Sequence, residues 1–195
     1  MTLKNVSTHC YMLESVAEKE KWGRYTFLGF DPKTQITACG NELTIGDVKM
    51  TSDDPSVQIR QILQKYRSPK FDYLPTFTGG FVGYFSYDFL AYTEKSLRIK
   101  TNDTENFKDV DLMLFDKVIA FDNFRPKIIL IVNINLEDLD TEYNRGVLAL
   151  GQMAELIKNG TPVKDPGGKC ISEFKPLFNK EEYCSMVEKA KYHIK

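Results

Sequence analysis

The feature that most constrains this chain is a run of β-rich segments in close succession over residues 110–134. Residues 110–115 and 117–121 are apolar and rich in β-branched or aromatic side chains. Turn-forming residues 122–126 follow, and residues 127–134 then form the most hydrophobic segment of the chain. Extended segments joined by a short turn pair in the antiparallel sense. The run therefore predicts an antiparallel hairpin that is buried on at least one face.

Shorter segments of the same character extend this prediction to most of the chain. Strands are predicted at residues 10–14, 24–30, 36–39, 43–45, 48–50 and 79–85. Gly46 and Asp47 separate two of them and suit a type II′ hairpin turn, whose first central residue needs a positive φ. The predicted strand at 79–85 contains Gly79, Gly80 and Gly83, and glycines within a strand indicate that another group packs closely against it. A phosphate-binding loop is a poorer interpretation, because its Lys-Ser/Thr ending is missing.

Two amphipathic helices are predicted between the strands. The first begins after Asp54, a favourable N-cap, with Pro55 at its first position, and the second spans about residues 140–158. The stripes that identify them are Ile59, Ile62, Leu63 and Tyr66 in the first helix, and Tyr143, Val147, Leu150, Ala154 and Ile157 in the second. Many strands with few helices indicate an α+β fold.

A third helix, near the end of the chain, bears on domain organisation. Residues 161–169 carry two prolines and two glycines, which indicates a linker. After it, Asn179 and Glu182 have the spacing of a capping box. We predict a domain at 1–160, a linker at 161–177 and a separate helix at 178–195. The pattern alone leaves two readings open, in which the helix opens a second domain or docks on the first.

Composition excludes several classes of protein. The 195 residues carry a formal net charge of -1, so no basic excess points to nucleic acid or to an anionic membrane surface. No apolar stretch is long enough to cross a bilayer, and residues 1–10 lack the apolar centre of a signal peptide. We therefore expect a cytoplasmic protein. The four cysteines are widely scattered, which predicts reduced, partly buried thiols and no zinc site.

Three residues are candidates for ligand binding. Glu14 and Ser15 follow an apolar strand, and together they could bind a small ligand that carries an ammonium group. Arg24 could pair with a carboxylate or stack on a ring. The residues also allow a plainer interpretation, in which Glu14 and Ser15 cap a turn and Arg24 is a surface residue.

Four blocks of sequence resemble anthranilate synthase component I, of the chorismate-utilising enzymes. The blocks are residues 12–16 with 22–29, residues 79–88, residues 111–122, and residues 178–194. They occur in order and span nearly all of the chain. Met12 and Thr26 depart mildly from the family pattern. The resemblance implies an α+β fold in which two antiparallel sheets pack orthogonally between flanking helices.

The resemblance also implies a function. The family aminates chorismate with ammonia from a glutamine amidotransferase subunit, component II, and releases anthranilate and pyruvate in tryptophan biosynthesis. Its carboxy-terminal domain binds chorismate and Mg²⁺, and the corresponding residues are expected beyond Lys195. Residues 1–160 then correspond to a regulatory domain, and residues 178–195 to the first helix of the chorismate-binding domain. No catalytic or metal-binding residue is expected in this chain, which should be inactive alone.

What transfers to this chain is feedback regulation. The resemblance places Glu14 and Ser15 in the tryptophan site of the family, with Glu14 on the ligand's ammonium and Arg24 as a further candidate. Aminodeoxychorismate synthase component I, of the folate pathway, shares the fold and the substrate and is one alternative. A stand-alone amino-acid-sensing module and an interaction domain for the glutaminase are two others.

Overall fold

The structure, a computed structural model, describes residues 2–15, 23–94, 96, 103–162, 164 and 167–194. The chain divides into two compact units, Met1–Val163 and Lys164–Lys195. The strands are β1 (Cys10–Leu13), β2 (Tyr25–Phe30), β3 (Thr34–Cys39), β4 (Glu42–Ile45), β5 (Val48–Thr51), β6 (Gly80–Phe85), β7 (Val110–Phe115), β8 (Lys117–Asp122) and β9 (Lys127–Val132). The α-helices are α1 (Pro55–Lys65), α2 (Leu90–Thr93), α3 (Leu139–Asn159) and α4 (Lys180–Ile194), and short 3₁₀ turns cover Thr2–Asn5 and Tyr87–Phe89.

The strands of the first unit form two antiparallel sheets. One has the order β1-β2-β8-β9 and the other the order β5-β4-β3-β7-β6. The chain passes from the five-stranded to the four-stranded sheet at Asp116, the single residue between β7 and β8. β8 and β9 form the predicted antiparallel hairpin, with Asp122 opposite Lys127 at its turn. The predicted α+β class, with antiparallel sheets and helices, is confirmed.

Local signals set several of these elements as predicted. Gly46 has a φ of 57°, whereas Asp47 has a negative φ, as a type II′ turn between β4 and β5 requires. The side chain of Asp54 accepts a hydrogen bond from the Ser56 amide at 2.9 Å and caps α1. These contacts satisfy polar groups that would otherwise be unpaired at the turn and at the helix end.

Each sheet packs its own hydrophobic core against a helix. In the five-stranded sheet the buried residues are Ile36, Ala38, Leu43, Val110 and Leu112, joined by Ile59 of α1. In the four-stranded sheet Phe30 and Ile119 pack with Leu3 and with Met153 of α3. The four-stranded sheet therefore has one face against α3, and Val118 and Ala120 of β8, which alternate with Ile119 and so point to the opposite face, are also buried.

The packed face of α3 differs from the predicted stripe. Gly146 and Met153 are buried, whereas Tyr143 is 61% exposed and Val147 is 51% exposed. A Cβ atom on Gly146 would lie 2.9 Å from Cγ2 of Ile134. The absence of a side chain lets the helix backbone approach the end of β9, so the helix turns its glycine face to the sheet. The prediction of the helix was right, and the prediction of its packed face was wrong for Tyr143 and Val147, whereas Leu150 and Ala154 of the predicted stripe are half-buried.

The second unit contains α4, which begins as predicted. Asn179 Oδ1 accepts from the Glu182 amide, and Glu182 Oε2 accepts from the Asn179 amide, both at 2.9 Å. This is a capping box, which satisfies donors at both residues. None of the α4 residues is buried. The domain boundaries at 160 and 178 stay a prediction.

Two smaller expectations have different outcomes. Cys10 is half-buried, but Cys39, Cys170 and Cys184 are exposed, so the prediction of partly buried thiols was wrong for these three. Their neighbours are turn, linker and surface-helix residues, which leave the sulfur atoms open to solvent. Residues 95–109 are polar and predict a surface loop; of these the structure describes 96 and 103–109, and 103–107 are exposed and outside any helix or strand, whereas Trp22, the only tryptophan of the sequence, lies outside the described residues.

Candidate functional site

The three predicted site residues lie at the same end of the four-stranded sheet. β1 and β2 are antiparallel, and Leu13 with Phe27 is their last pair. Glu14 and Ser15 continue the chain directly beyond that pair, and both are exposed. Arg24 lies just before β2, on the same side of the pair. Antiparallel pairing thus places Arg24 at the same end of the sheet as Glu14 and Ser15, although it is nine or more positions away from them in sequence.

Arg24 is held by a buried carboxylate that the sequence analysis did not single out. Asp122, the last residue of β8, accepts from Arg24 Nε at 3.2 Å and from Nη2 at 2.8 Å. The Asp122 side chain is fully buried, and that of Arg24 is 28% exposed. Asp122 Oδ1 also accepts from the amides of Phe124 and Arg125 at 3.1 and 3.0 Å. The pair is bidentate, a geometry that fixes the plane of the guanidinium.

The next residue, Asn123, ties the start of β2 to the same turn. Its amide donates to the Arg24 carbonyl at 2.7 Å. Its side chain donates to the hydroxyl of Thr26 at 3.1 Å and to the Gly23 carbonyl at 3.3 Å. The turn between β8 and β9 therefore fixes the point at which the chain enters β2.

Two aromatic rings flank the Arg24 guanidinium. Its Cζ atom lies 4.8 Å from the ring centre of Tyr25 and 5.9 Å from that of Phe124. Both distances are within the range of cation–π attraction. Among the described residues, none accepts a hydrogen bond from Nη1, so one edge of the guanidinium has hydrogen-bonding capacity left over. The sequence suggested pairing or stacking for Arg24, and both occur within the chain.

An apolar groove begins beside this polar end of the sheet. It has a volume of about 570 Å³ and is lined by Leu13, Ile59, Leu63, Phe77, Gly79, Gly80, Phe81, Val82, Gly83, Phe85 and Leu112. Leu13, the residue before Glu14, therefore belongs to the groove wall, while Glu14 and Ser15 lie next to the wall and are not part of it. The size suits a small molecule, since ligand pockets measure roughly 300–1,000 Å³.

Aromatic rings pack together next to the groove. The ring centre of Tyr11 lies 4.7 Å from that of Phe115 and 6.3 Å from that of Phe77, both in edge-to-face geometry. The ring centres of Phe27 and Phe77 are 5.6 Å apart. Gly29 makes room for Tyr11, because a Cβ atom there would lie 2.1 Å from the Tyr11 ring. Burial raises the pKa of the Tyr11 hydroxyl, which has no hydrogen-bond partner among the described residues. The aromatic rings thus form a continuous packed cluster that includes Phe77 of the groove wall.

The Arg24–Asp122 pair predicts a defined pH dependence of stability. Hydrogen bonds from Arg24 hold the pKa of Asp122 at about 2, in spite of burial, and the amides of Arg125 and Phe124 act in the same direction. An unfolded aspartate has a pKa of about 3.9. Because the folded value is the lower one, the stabilisation is complete above about pH 4 and is lost as pH falls towards 2.

Urea denaturation of the wild type and of Asp122→Asn at a series of pH values tests this prediction. We expect the wild type to be the more stable protein above pH 4, and the difference between the two to shrink below it. A difference that stays constant from about pH 5 to 2.5 would show that Asp122 does not titrate in this way.

A metal site and a membrane-spanning helix each place requirements on the residues that form them. Within the described residues, no group of three His, Cys, Asp or Glu side chains could hold a metal ion. None of the described helices combines the length and the apolar character needed to span a membrane.

The first unit is thus an α+β domain in which two antiparallel sheets place a polar sheet end beside an apolar groove. Residues 8–195 match the family of chorismate binding enzymes. The chain belongs to this family.

Individual relatives carry a more specific name. The chain is 33% identical to anthranilate synthase component 1 of Acinetobacter calcoaceticus over 96% of its length, and 31% identical to that of Pseudomonas putida over 94%. It is 32% identical to the Aquifex aeolicus protein of the same name over 100% of its length. The alignments cover only 39%, 39% and 41% of these relatives. The crystal structure of anthranilate synthase component I from Streptococcus pneumoniae shares the fold, with a TM-score of 0.62 and 22% identity over 92% of this chain and 39% of that one.

Proposed function

We propose that this chain is the amino-terminal part of an anthranilate synthase component I. The whole protein would convert chorismate and ammonia into anthranilate and pyruvate, with the ammonia delivered by a glutamine amidotransferase subunit. The observation that supports this most strongly is similarity to proteins of that name over nearly the whole chain. The chain spans about two fifths of their length, so the chorismate site and the Mg²⁺ site belong to the remaining part in this proposal.

Within that enzyme, the proposed role of this chain is to bind tryptophan as a feedback effector. The exposed Glu14 carboxylate would pair with the ammonium group, and the neighbouring Ser15 hydroxyl would add a hydrogen bond. The apolar groove that starts at Leu13 offers a surface for the indole ring. The proximity of an anionic group, a hydroxyl and an apolar groove favours an amphipathic amino acid over a purely polar ligand.

Arg24 has a more limited role in this proposal than Glu14. One edge of its guanidinium already binds Asp122, which offsets much of its charge. The Nη1 edge, which has no acceptor among the described residues, would remain for a ligand carboxylate. We therefore assign the larger share of the binding energy to Glu14.

Calorimetric titration of tryptophan into the 195-residue chain tests the proposal. We expect a dissociation constant in the millimolar range or weaker, equivalent to about -4 kcal/mol, because a ligand with part of its surface left in water binds weakly. We also expect no anthranilate fluorescence when chorismate and an ammonium salt are added to this chain alone. Micromolar affinity for tryptophan would contradict the proposal that the chain forms only part of the pocket.

A further inference from the structure

We infer that Asp122 is a positioning residue of the effector site, which acts by orienting Arg24 towards the carboxylate of the bound amino acid. This inference rests on the proposed tryptophan site and extends it to a residue about 100 positions away. Its basis is the arrangement of the polar end of the four-stranded sheet.

The orientation of the guanidinium is fixed from several sides. Asp122 occupies Nε and Nη2, and the rings of Tyr25 and Phe124 lie beside the guanidinium. The Asp122 carboxylate is itself held by the amides of Phe124 and Arg125. A group held in this way loses little freedom when it binds a ligand, which is the advantage of preorganisation. The Nη1 edge therefore has a defined direction before any ligand arrives.

Glu14 and Arg24 lie at the same end of the paired strands β1 and β2. Glu14 lies one residue beyond the pair of Leu13 with Phe27, and Arg24 lies three residues beyond it. The offset of two residues is about 7 Å along the strand direction. An amino acid whose ammonium pairs with Glu14 would present its carboxylate towards the Arg24 side of this gap. Neighbouring strands would thus offer the Glu14 carboxylate to the ammonium of the ligand and the Nη1 edge of Arg24 to its carboxylate.

The test compares tryptophan with tryptophanamide, which keeps the ammonium and the ring but lacks the carboxylate. Both ligands are titrated into the 195-residue chain and followed by NMR. We expect the wild type to prefer tryptophan by about fivefold, as for a partly exposed ion pair. Asp122→Asn, at a temperature where it is folded, should reduce the ratio to about one.

Asn133→Ala is the matched control. The Asn133 side chain donates to the carbonyls of Thr78 and Asp116, next to the opposite end of β9, so its loss should lower stability and leave the preference unchanged. If Asp122→Asn does not fold, Arg24→Lys replaces it. Lysine keeps the positive charge but lacks the bidentate geometry of the guanidinium, so this variant should lower the preference for tryptophan over tryptophanamide in the same way.

The outcomes separate the inference from the proposal on which it rests. If the wild type prefers tryptophan and Asp122→Asn keeps that preference, the inference is overturned and the effector site stands. If Asp122→Asn lowers the affinities for tryptophan and tryptophanamide by the same factor, Asp122 is only structural and the inference is again overturned. If the wild type binds neither ligand, the effector site and the inference both fail.

Discussion

Gly83→Ala is expected to destabilise the domain by roughly 3 kcal/mol, at the upper end of the cost of overpacking. Gly83 lies in β6 opposite Leu112 of β7, with a φ of 158°. A Cβ atom there would lie 1.9 Å from the carbonyl oxygen of Asp111 and 2.8 Å from Cα of Leu112. Both atoms belong to the backbone of β7, which is held between β6 and β3. β7 cannot move away without breaking its pairing with β3, so the strain should appear in the free energy of unfolding.

Gly151→Ala is the control for the same chemical change. Gly151 lies on α3, and a Cβ atom there meets nothing within 4 Å. Alanine is favoured over glycine in a helix by about 1 kcal/mol, so this variant should be slightly more stable than the wild type. Urea denaturation of both variants measures the contrast. A Gly83→Ala protein with wild-type stability would mean that β6 and β7 are not in this register.

Arg24→Ala is expected to lower the midpoint of thermal unfolding by about 5 °C, which is the scale for loss of one charge-assisted contact in a domain of this size. The change would leave the Asp122 carboxylate fully buried, with only two backbone amides as donors. A buried charge without its partner costs more than the pair itself contributes. Adding Asp122→Asn should therefore restore part of the loss, because the remaining buried group is then neutral.

The Arg145–Glu142 pair on α3 provides the comparison. It also joins an arginine to a carboxylate, here that of a glutamate, but the Arg145 side chain is 72% exposed. Exposed pairs contribute little, so Arg145→Ala should shift the midpoint by only about 1–2 °C. Equal shifts of the unfolding midpoint in the two arginine variants would show that the Arg24–Asp122 pair is not a buried unit. The same conclusion would follow if the decreases in midpoint caused by Arg24→Ala and Asp122→Asn simply added in the double variant.

Local patterns predicted most of the elements of this fold. The hairpin turn at Gly46, the cap at Asp54 and the capping box at Asn179 each depend on a few neighbouring residues, so the sequence was enough to predict them. The packed face of α3 depends on a distant contact, the close approach of Gly146 to Ile134. A helical stripe is identified from its large apolar side chains. Gly146 has no side chain, so the periodicity could not identify it as a packed position.

The candidate site was predicted only in part, for the same reason. Glu14, Ser15 and Arg24 were candidates from their residue types, and the resemblance assigned them to a tryptophan site; antiparallel pairing of β1 and β2 places all three at one end of the sheet. Asp122 and Asn123 were missed, because they come from a turn that reaches β2 only through the pairing of β2 with β8. The signal was present in the sequence, since Phe121 and Asp122 fall within one of the blocks that carry the resemblance. A buried aspartate at the end of an apolar strand requires a partner, and Arg24 was the cation already under consideration.

The central claim is that Glu14 binds the ammonium group of tryptophan at the polar end of the four-stranded sheet. A titration of ¹⁵N-labelled chain with tryptophan, followed residue by residue and repeated with Glu14→Gln, tests it most directly. We expect the largest shift changes at the backbone amides around residues 13–15, with saturation at millimolar concentrations, and a clear loss of affinity in Glu14→Gln. Shift changes confined to other parts of the chain, or equal affinities for the two proteins, would contradict the claim.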